Sequence, residues 1–143
     1  MASLSFLNDQ TILRALWQAW QDSHPGVLGG HEEGGFVLRD ANGNVSVSRW
    51  RQGEQDRIIL PTYQDCRFEG QEIIATFHTH PNTGENYLQE PSETDRRAVR
   101  DDPNLKAVFY EGELVISHEK IYLIEPNGQV REIGDTVKIL EME

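Results

Sequence analysis

The stretch Ile73-Ile74-Ala75-Thr76-Phe77-His78-Thr79-His80-Pro81 constrains this chain more than any other. Its apolar run favours an extended strand, and Pro81, which has no N–H to give to a ladder, ends that strand. Successive side chains on a strand alternate between faces, so His78 and His80 project to the same side. Two imidazoles placed this way can hold a metal ion between them. After a polar stretch comes Ser92-Glu93-Thr94-Asp95, and Asp95 offers a carboxylate as a third ligand.

At 143 residues the chain is long enough to bury a core without disulfides or a structural metal, so a metal bound here is functional rather than structural. The single cysteine, Cys66, excludes an internal disulfide framework and a cysteine-based zinc site, and fits a reducing compartment, with the cytoplasm as default. No window approaches the roughly 18 apolar residues of a membrane span, and the stretch up to Trp20 lacks a basic leader followed by an apolar run. No membrane association is expected. A net charge of -11 opposes phosphate backbones, so nucleic acid is not an expected partner. Arg96, Arg97 and Arg100 lie among Glu93, Asp95, Asp101 and Asp102, which reads as a mixed-charge helix surface.

Asn8 or Asp9 can cap a helix over 8–24, with Ile12, Leu16, Ala19 and Trp20 on one face, Leu13 and Trp17 widening it, and both tryptophans as core anchors. The period then changes. Gly35–Arg39 and Val45–Trp50 flank the turn signal Asp40-Ala41-Asn42-Gly43 and predict a hairpin. Arg57–Leu60 predicts a short strand closed by Pro61, and the histidine strand follows Gly70. Asn82–Pro91 has no apolar periodicity and reads as a loop. Ser92 as N-cap, with Asp95 three residues on, starts a short helix that stops before Pro103. Leu105–Tyr110, Glu113–Ser117 and Ile121–Ile124 predict three further strands, and Pro126-Asn127-Gly128 a last hairpin turn. Without repeats or a dividing linker, residues 1–143 form one domain of α+β or mixed α/β class, with a motif-bearing core over 32–124 and a hairpin or tail over 125–143.

Two histidines, one carboxylate and an open position for water are an established hydrolytic zinc set. Such a site needs a general base. Glu32 and Glu33 precede the first strand beside Gly34-Gly35, where backbone approaches closely, and Glu85 and Glu90 in the loop are equally open on residue type alone. The Ser92 hydroxyl can donate to a developing oxyanion, a role that coexists with capping. His24, His31 and His118 fall in turn-like stretches and read as surface residues.

This constellation resembles the JAMM (JAB/MPN+) metalloprotease family, and small bacterial JAB-like domains in particular: an upstream Glu before a glycine-containing strand, His-x-His-Pro ending a strand, and Ser-x-x-Asp at a helix start. The resemblance runs from Glu32 to Ile124. It implies a JAB/MPN-like, cytidine-deaminase-like fold in which a central, mostly antiparallel sheet is flanked by helices. It also implies that His78, His80 and Asp95 bind one zinc ion, that Glu32 activates water and that Ser92 assists the tetrahedral intermediate. Glu32 is preferred to Glu33 because the family usually places two residues between this Glu and the following Gly, here Gly35. The interval between His80 and Asp95 is longer than the family's usual one, with the extra residues in 82–91. The implied activity is hydrolysis of a peptide or isopeptide bond in a polypeptide substrate, for which ubiquitin-like or sulfur-carrier proteins with glycine-rich C-terminal tails are the family's examples.

Two other classes compete. A cupin also uses His-x-His followed by Glu, as His78, His80 and Glu85 would provide, but Glu72 and Ser92 stand where it expects glycines and Arg131 where it expects its last histidine. A catalytically inactive MPN-like binding scaffold usually lacks a ligand, whereas every ligand type is present here.

Overall fold

The computed structural model describes residues 4–26, 29–55, 57–84 and 87–140. Helix α1 (Gln10–Asp22) begins at Asp9, whose carboxylate accepts from the backbone N–H groups of Thr11 and Ile12 at 2.9 and 3.3 Å. These donors have no carbonyl partner within the first turn, so the cap stabilises the start. Ile12, Leu16, Ala19 and Trp20 are buried as the spacing predicts, but Trp17 is 37% exposed. At 3.6 residues per turn Trp17 lies about 60° beyond Trp20, past the edge of the stripe that meets the sheet.

The strands are β1 (Gly34–Arg39), β2 (Val45–Arg49), β3 (Arg67–Phe68), β4 (Gln71–Thr79), β5 (Glu113–Ile116), β6 (Lys120–Ile124) and β7 (Val130–Asp135). They form one seven-stranded sheet in the order β2-β1-β4-β5-β6-β7, with β3 pairing the start of β4. Every pair is antiparallel except β4 with β5. A parallel pair needs a crossover, and this one contains α2 (Glu93–Arg100). A last turn of helix, α3, covers Thr136–Ile139.

Strand alternation sends side chains to two cores. Val37, Phe77, Leu114 and Ile116 pack with the apolar stripe of α1 on one side. Phe36, Leu38, Ile73 and Val115 pack with Trp50, Val99 of α2 and Leu105 on the other. The mixed α and β class expected from the sequence is thus a sheet covered on both faces. On α2, Arg96 and Arg97 pair with Glu93 and Arg100 pairs with Asp101, a mixed-charge surface rather than a basic patch.

Two predicted strands do not form. Arg57–Leu60 lies outside the sheet: Glu54 N–H donates to Arg57 O at 2.8 Å and Glu32 N–H to Glu54 O at 2.6 Å, so the segment folds into a turn held against Glu32. Leu105–Tyr110 is a 3-10 turn (Pro103–Leu105) followed by a second turn closed by Tyr110 N–H on Ala107 O at 3.1 Å. The edges of β4 are taken by β1, β3 and β5, and this apolar segment joins no other strand of the sheet. It buries Leu105 and Tyr110 in the second core instead. The cupin alternative also fails here, because cupins are double-sheet jelly rolls and the described residues form one mixed sheet between helices.

The two tryptophans of α1 give a direct check. Trp20→Ala should destabilise the fold by about 3–5 kcal/mol through cavity formation, and Trp17→Ala by under about 1 kcal/mol. Urea unfolding followed by circular dichroism measures both, and equal losses would contradict the packing described.

Candidate metal centre

The end of β4 is fixed from both sides. On the β1 side His78 faces Gly34, and Thr79 N–H donates to Glu33 O at 3.0 Å. On the β5 side His78 faces Val115, and His80 N–H donates to Ile116 O at 2.8 Å. His78 and His80 are both buried on the face that packs against α2. Pro81 O accepts from Gly26 N–H at 3.0 Å and from His118 Nε2 at 2.6 Å, so the chain beyond the strand is also tied down.

Asp95 comes from the first turn of α2. A full capping box forms there: Asp95 N–H donates to Ser92 Oγ at 3.0 Å, and Ser92 N–H donates to Asp95 Oδ2 at 2.9 Å. That same Oδ2 lies 3.3 Å from His80 Nε2 and 3.6 Å from His78 Nε2, and the two Nε2 atoms are 3.2 Å apart. Ligands at zinc's usual 2.0–2.2 Å stand at tetrahedral corners about 3.3–3.6 Å apart. His78, His80 and Asp95 therefore meet at the spacing of three ligand atoms around one small ion. Two imidazole nitrogens favour a divalent transition metal over calcium or magnesium, which take oxygen ligands.

The electrostatics favour a cation at this point. Burial would raise the Asp95 carboxyl, but the imidazoles of His78 and His80 and the Ser92 N–H hold it far below the usual carboxylate range. Burial would lower His78, but Glu113 and Asp95 outweigh it and hold the imidazole well above its ordinary value.

Each histidine uses its other nitrogen elsewhere. His78 Nδ1 is 2.6 Å from Glu113 Oε2, and His80 Nδ1 donates to Gln89 O at 3.2 Å, leaving both Nε2 atoms for the centre. Sequence reasoning missed Glu113 and Gln89. The described residues of 82–91 form no helix or strand, as expected, but the loop is tied down: buried Asn82 accepts from Gly30 N–H at 2.8 Å, and Gln89 Nε2 donates to Asn82 O at 2.6 Å. The buried Asn beside His-x-His-Pro was the available signal. Glu113 had only its place at the head of an apolar strand.

Two clefts meet at the three ligands. One, of about 170 Å³, is lined by Glu32, His80, Ser92 and Asp95 together with Gln55 and Tyr87. The other, of about 390 Å³, has Glu32, His78, Ser92 and Asp95 against Trp50 and Leu60. Glu32 is buried and stands on both walls. Extending the β1–β4 register by two residues sets it opposite His80. Glu33, one residue on, turns away and accepts from Arg49 Nη2 and from His31 Nε2, each at 2.6 Å. Glu90 is exposed, and Glu85 lies outside the described residues. His24 is exposed as expected, whereas His31 and His118 are half-buried and bonded, contrary to their surface reading.

No described helix is long and apolar enough to cross a membrane. Comparison with family models, curated proteins and solved structures finds no match in any of the three.

Because metal-free His78 holds a proton beyond its ordinary range, metal uptake near pH 7 should expel about one proton per ion. Zinc serves as the probe, with calorimetry in buffers of small and large ionisation enthalpy. Affinity should fall as pH drops and keep rising through pH 7, since the competing proton leaves only at higher pH. A binding heat independent of buffer would contradict this account.

Proposed function

We propose that the protein is a zinc-dependent peptidase or isopeptidase of the JAMM (JAB/MPN+) type. The observation that carries this reading is the meeting of His78, His80 and Asp95 at 3.2–3.6 Å with Glu32 and Ser92 on the walls of the same clefts. A mostly antiparallel sheet flanked by helices supports the JAB/MPN-like fold that the resemblance implies.

His78, His80 and Asp95 hold the ion, which supplies Lewis acidity that polarises a substrate carbonyl and lowers the pKa of a water molecule. Glu32 takes a proton from the attacking water and later hands it to the leaving amine nitrogen as the C–N bond breaks. Ser92 Oγ accepts from Asp95 N–H with a lone pair, so its own proton stays available for the oxyanion of the tetrahedral intermediate. Capping and catalysis therefore use different parts of one hydroxyl. The substrate is an extended polypeptide segment lying across the junction of the clefts, and a glycine-rich tail of a ubiquitin-like or sulfur-carrier protein meets that need through backbone contacts.

Three variants test this on purified full chain. His78→Ala and Asp95→Ala should each abolish stoichiometric zinc, read by mass spectrometry of the metal. Glu32→Gln should keep zinc while hydrolysis of a fluorogenic peptide or a ubiquitin-like fusion falls by about 10²–10⁴-fold. Zinc-loaded wild type that cleaves no polypeptide would leave a binding scaffold instead of an enzyme. Ser92→Ala should lower turnover by about 10²–10³-fold. It should also cost about 1 kcal/mol of stability through the lost cap, read as a lower urea midpoint.

A further inference from the structure

Glu113 lies on neither the strand of the histidines nor α2, and it belongs to no motif in the chain. Its carboxylate is nevertheless divided between two buried partners. Oε2 is 2.6 Å from His78 Nδ1, and Oε1 accepts from Thr76 Oγ1 at 2.8 Å. Thr76 Oγ1 is in turn 2.7 Å from the hydroxyl oxygen of Tyr110. Thr76 and Tyr110 are both buried.

The direction of every hydrogen bond in this chain follows from Glu113. An ionised carboxylate only accepts. The Thr76 proton is therefore committed to Oε1, and the Thr76 oxygen must receive the Tyr110 proton. On the other side, His78 must present N–H from Nδ1 to Oε2. Once the Nε2 proton leaves to make way for a metal, the Nε2 lone pair faces His80 Nε2 and Asp95 Oδ2. The register explains the reach: Glu113 sits beside Thr76 across the parallel β4–β5 pair, and Thr76 and His78 are two residues apart on one face. His80 has no equivalent support, since its Nδ1 meets a neutral carbonyl in a loop at 3.2 Å.

We propose that Glu113, oriented by Thr76 and Tyr110, is a positioning residue for the metal. It fixes the His78 proton on Nδ1 so that Nε2 is the ligand atom, and its negative charge strengthens the hold on a divalent cation. Partners of this kind are typically worth 10–100-fold in metal affinity. The inference rests on the metal-holding part of the proposed function and not on hydrolysis.

The test is a competitive zinc titration of the full chain against a chromophoric chelator, with wild type, Glu113→Gln and Tyr110→Phe compared, and with the thermal midpoint of each metal-free protein recorded. Glu113→Gln should bind zinc about 10–100-fold more weakly while its folded fraction stays near complete, and Tyr110→Phe should show a smaller loss in the same direction. A purely structural role would lower the midpoint and leave the affinity of the folded molecules unchanged, which would overturn the proposal. Long-range ¹H–¹⁵N spectra of zinc-loaded wild type should show the His78 proton on Nδ1. A proton on Nε2 would overturn the proposal even if Glu113→Gln does not fold. A weakened Glu113→Gln supports the inference whether or not any peptide is cleaved, whereas wild type that binds no zinc would overturn both readings.

Discussion

The site depends on the last residues of β4 being paired on both edges at once. A strand with only one partner can slip, and a slip of one residue would turn both imidazoles to the opposite face. Here β1 and β5 hold His78, Thr79 and His80 through backbone bonds on either side, so the register is over-determined. Each neighbour also brings a carboxylate to the site: Glu32 precedes β1 opposite His80, and Glu113, heading β5 beside Thr76, reaches His78 Nδ1. The one parallel pair in the sheet has a second consequence. Its crossover must pass from the end of β4 back to the start of β5, and it delivers the first turn of α2, with Asp95, over the carboxyl end of the histidine strand. Ligand sites in open α/β sheets gather at such strand ends.

Asp95 joins local folding to site chemistry. Its Oδ2 accepts the Ser92 N–H that would otherwise be unpaired at the helix start, and the same atom faces both Nε2 nitrogens. The cap fixes the carboxylate rotamer, so this ligand is ordered before any ion arrives. One hydroxyl and one carboxylate thus serve both helix and site, because the capping box folds the Asp95 carboxylate back to the helix start, where its Oδ2 meets both histidines.

What could be read in advance was what local spacing controls. The cap at Asp9, the apolar stripe of α1, the Asp40–Asn44 turn, the polar end of β4 and the Ser92 helix start all involve residues within a few positions of one another. Failures came where a distant partner decides. Arg57–Leu60 and Leu105–Tyr110 have strand-like composition, but distant partners claim them first: backbone bonds through Glu54 tie Arg57 to Glu32, and Leu105 and Tyr110 fill the second core. Trp17 has helical spacing with Trp20 but falls beyond the stripe that the sheet covers. Glu32 and Glu33 are indistinguishable by type; the family spacing to Gly35 prefers Glu32, and the register against His80 sets Glu32 at the cleft while Glu33 pairs with Arg49. Glu113 and Gln89 reach the histidines across a parallel pairing and a loop, neither of which leaves a periodic trace.

The balance of charge explains why this cluster suits a metal better than a proton. Asp95 and Glu113 lie against two buried imidazoles, within a chain of net charge -11. Buried carboxylates require compensation, and a proton on an imidazole supplies some of it. A proton, however, bridges only two atoms. With His78 Nε2, His80 Nε2 and Asp95 Oδ2 all converging, one proton between any two leaves the third facing a lone pair or an unneutralised charge. A divalent ion accepts all three at once and carries the charge that the carboxylates call for. The arrangement is therefore only partly satisfied by protons, and a divalent ion would complete it.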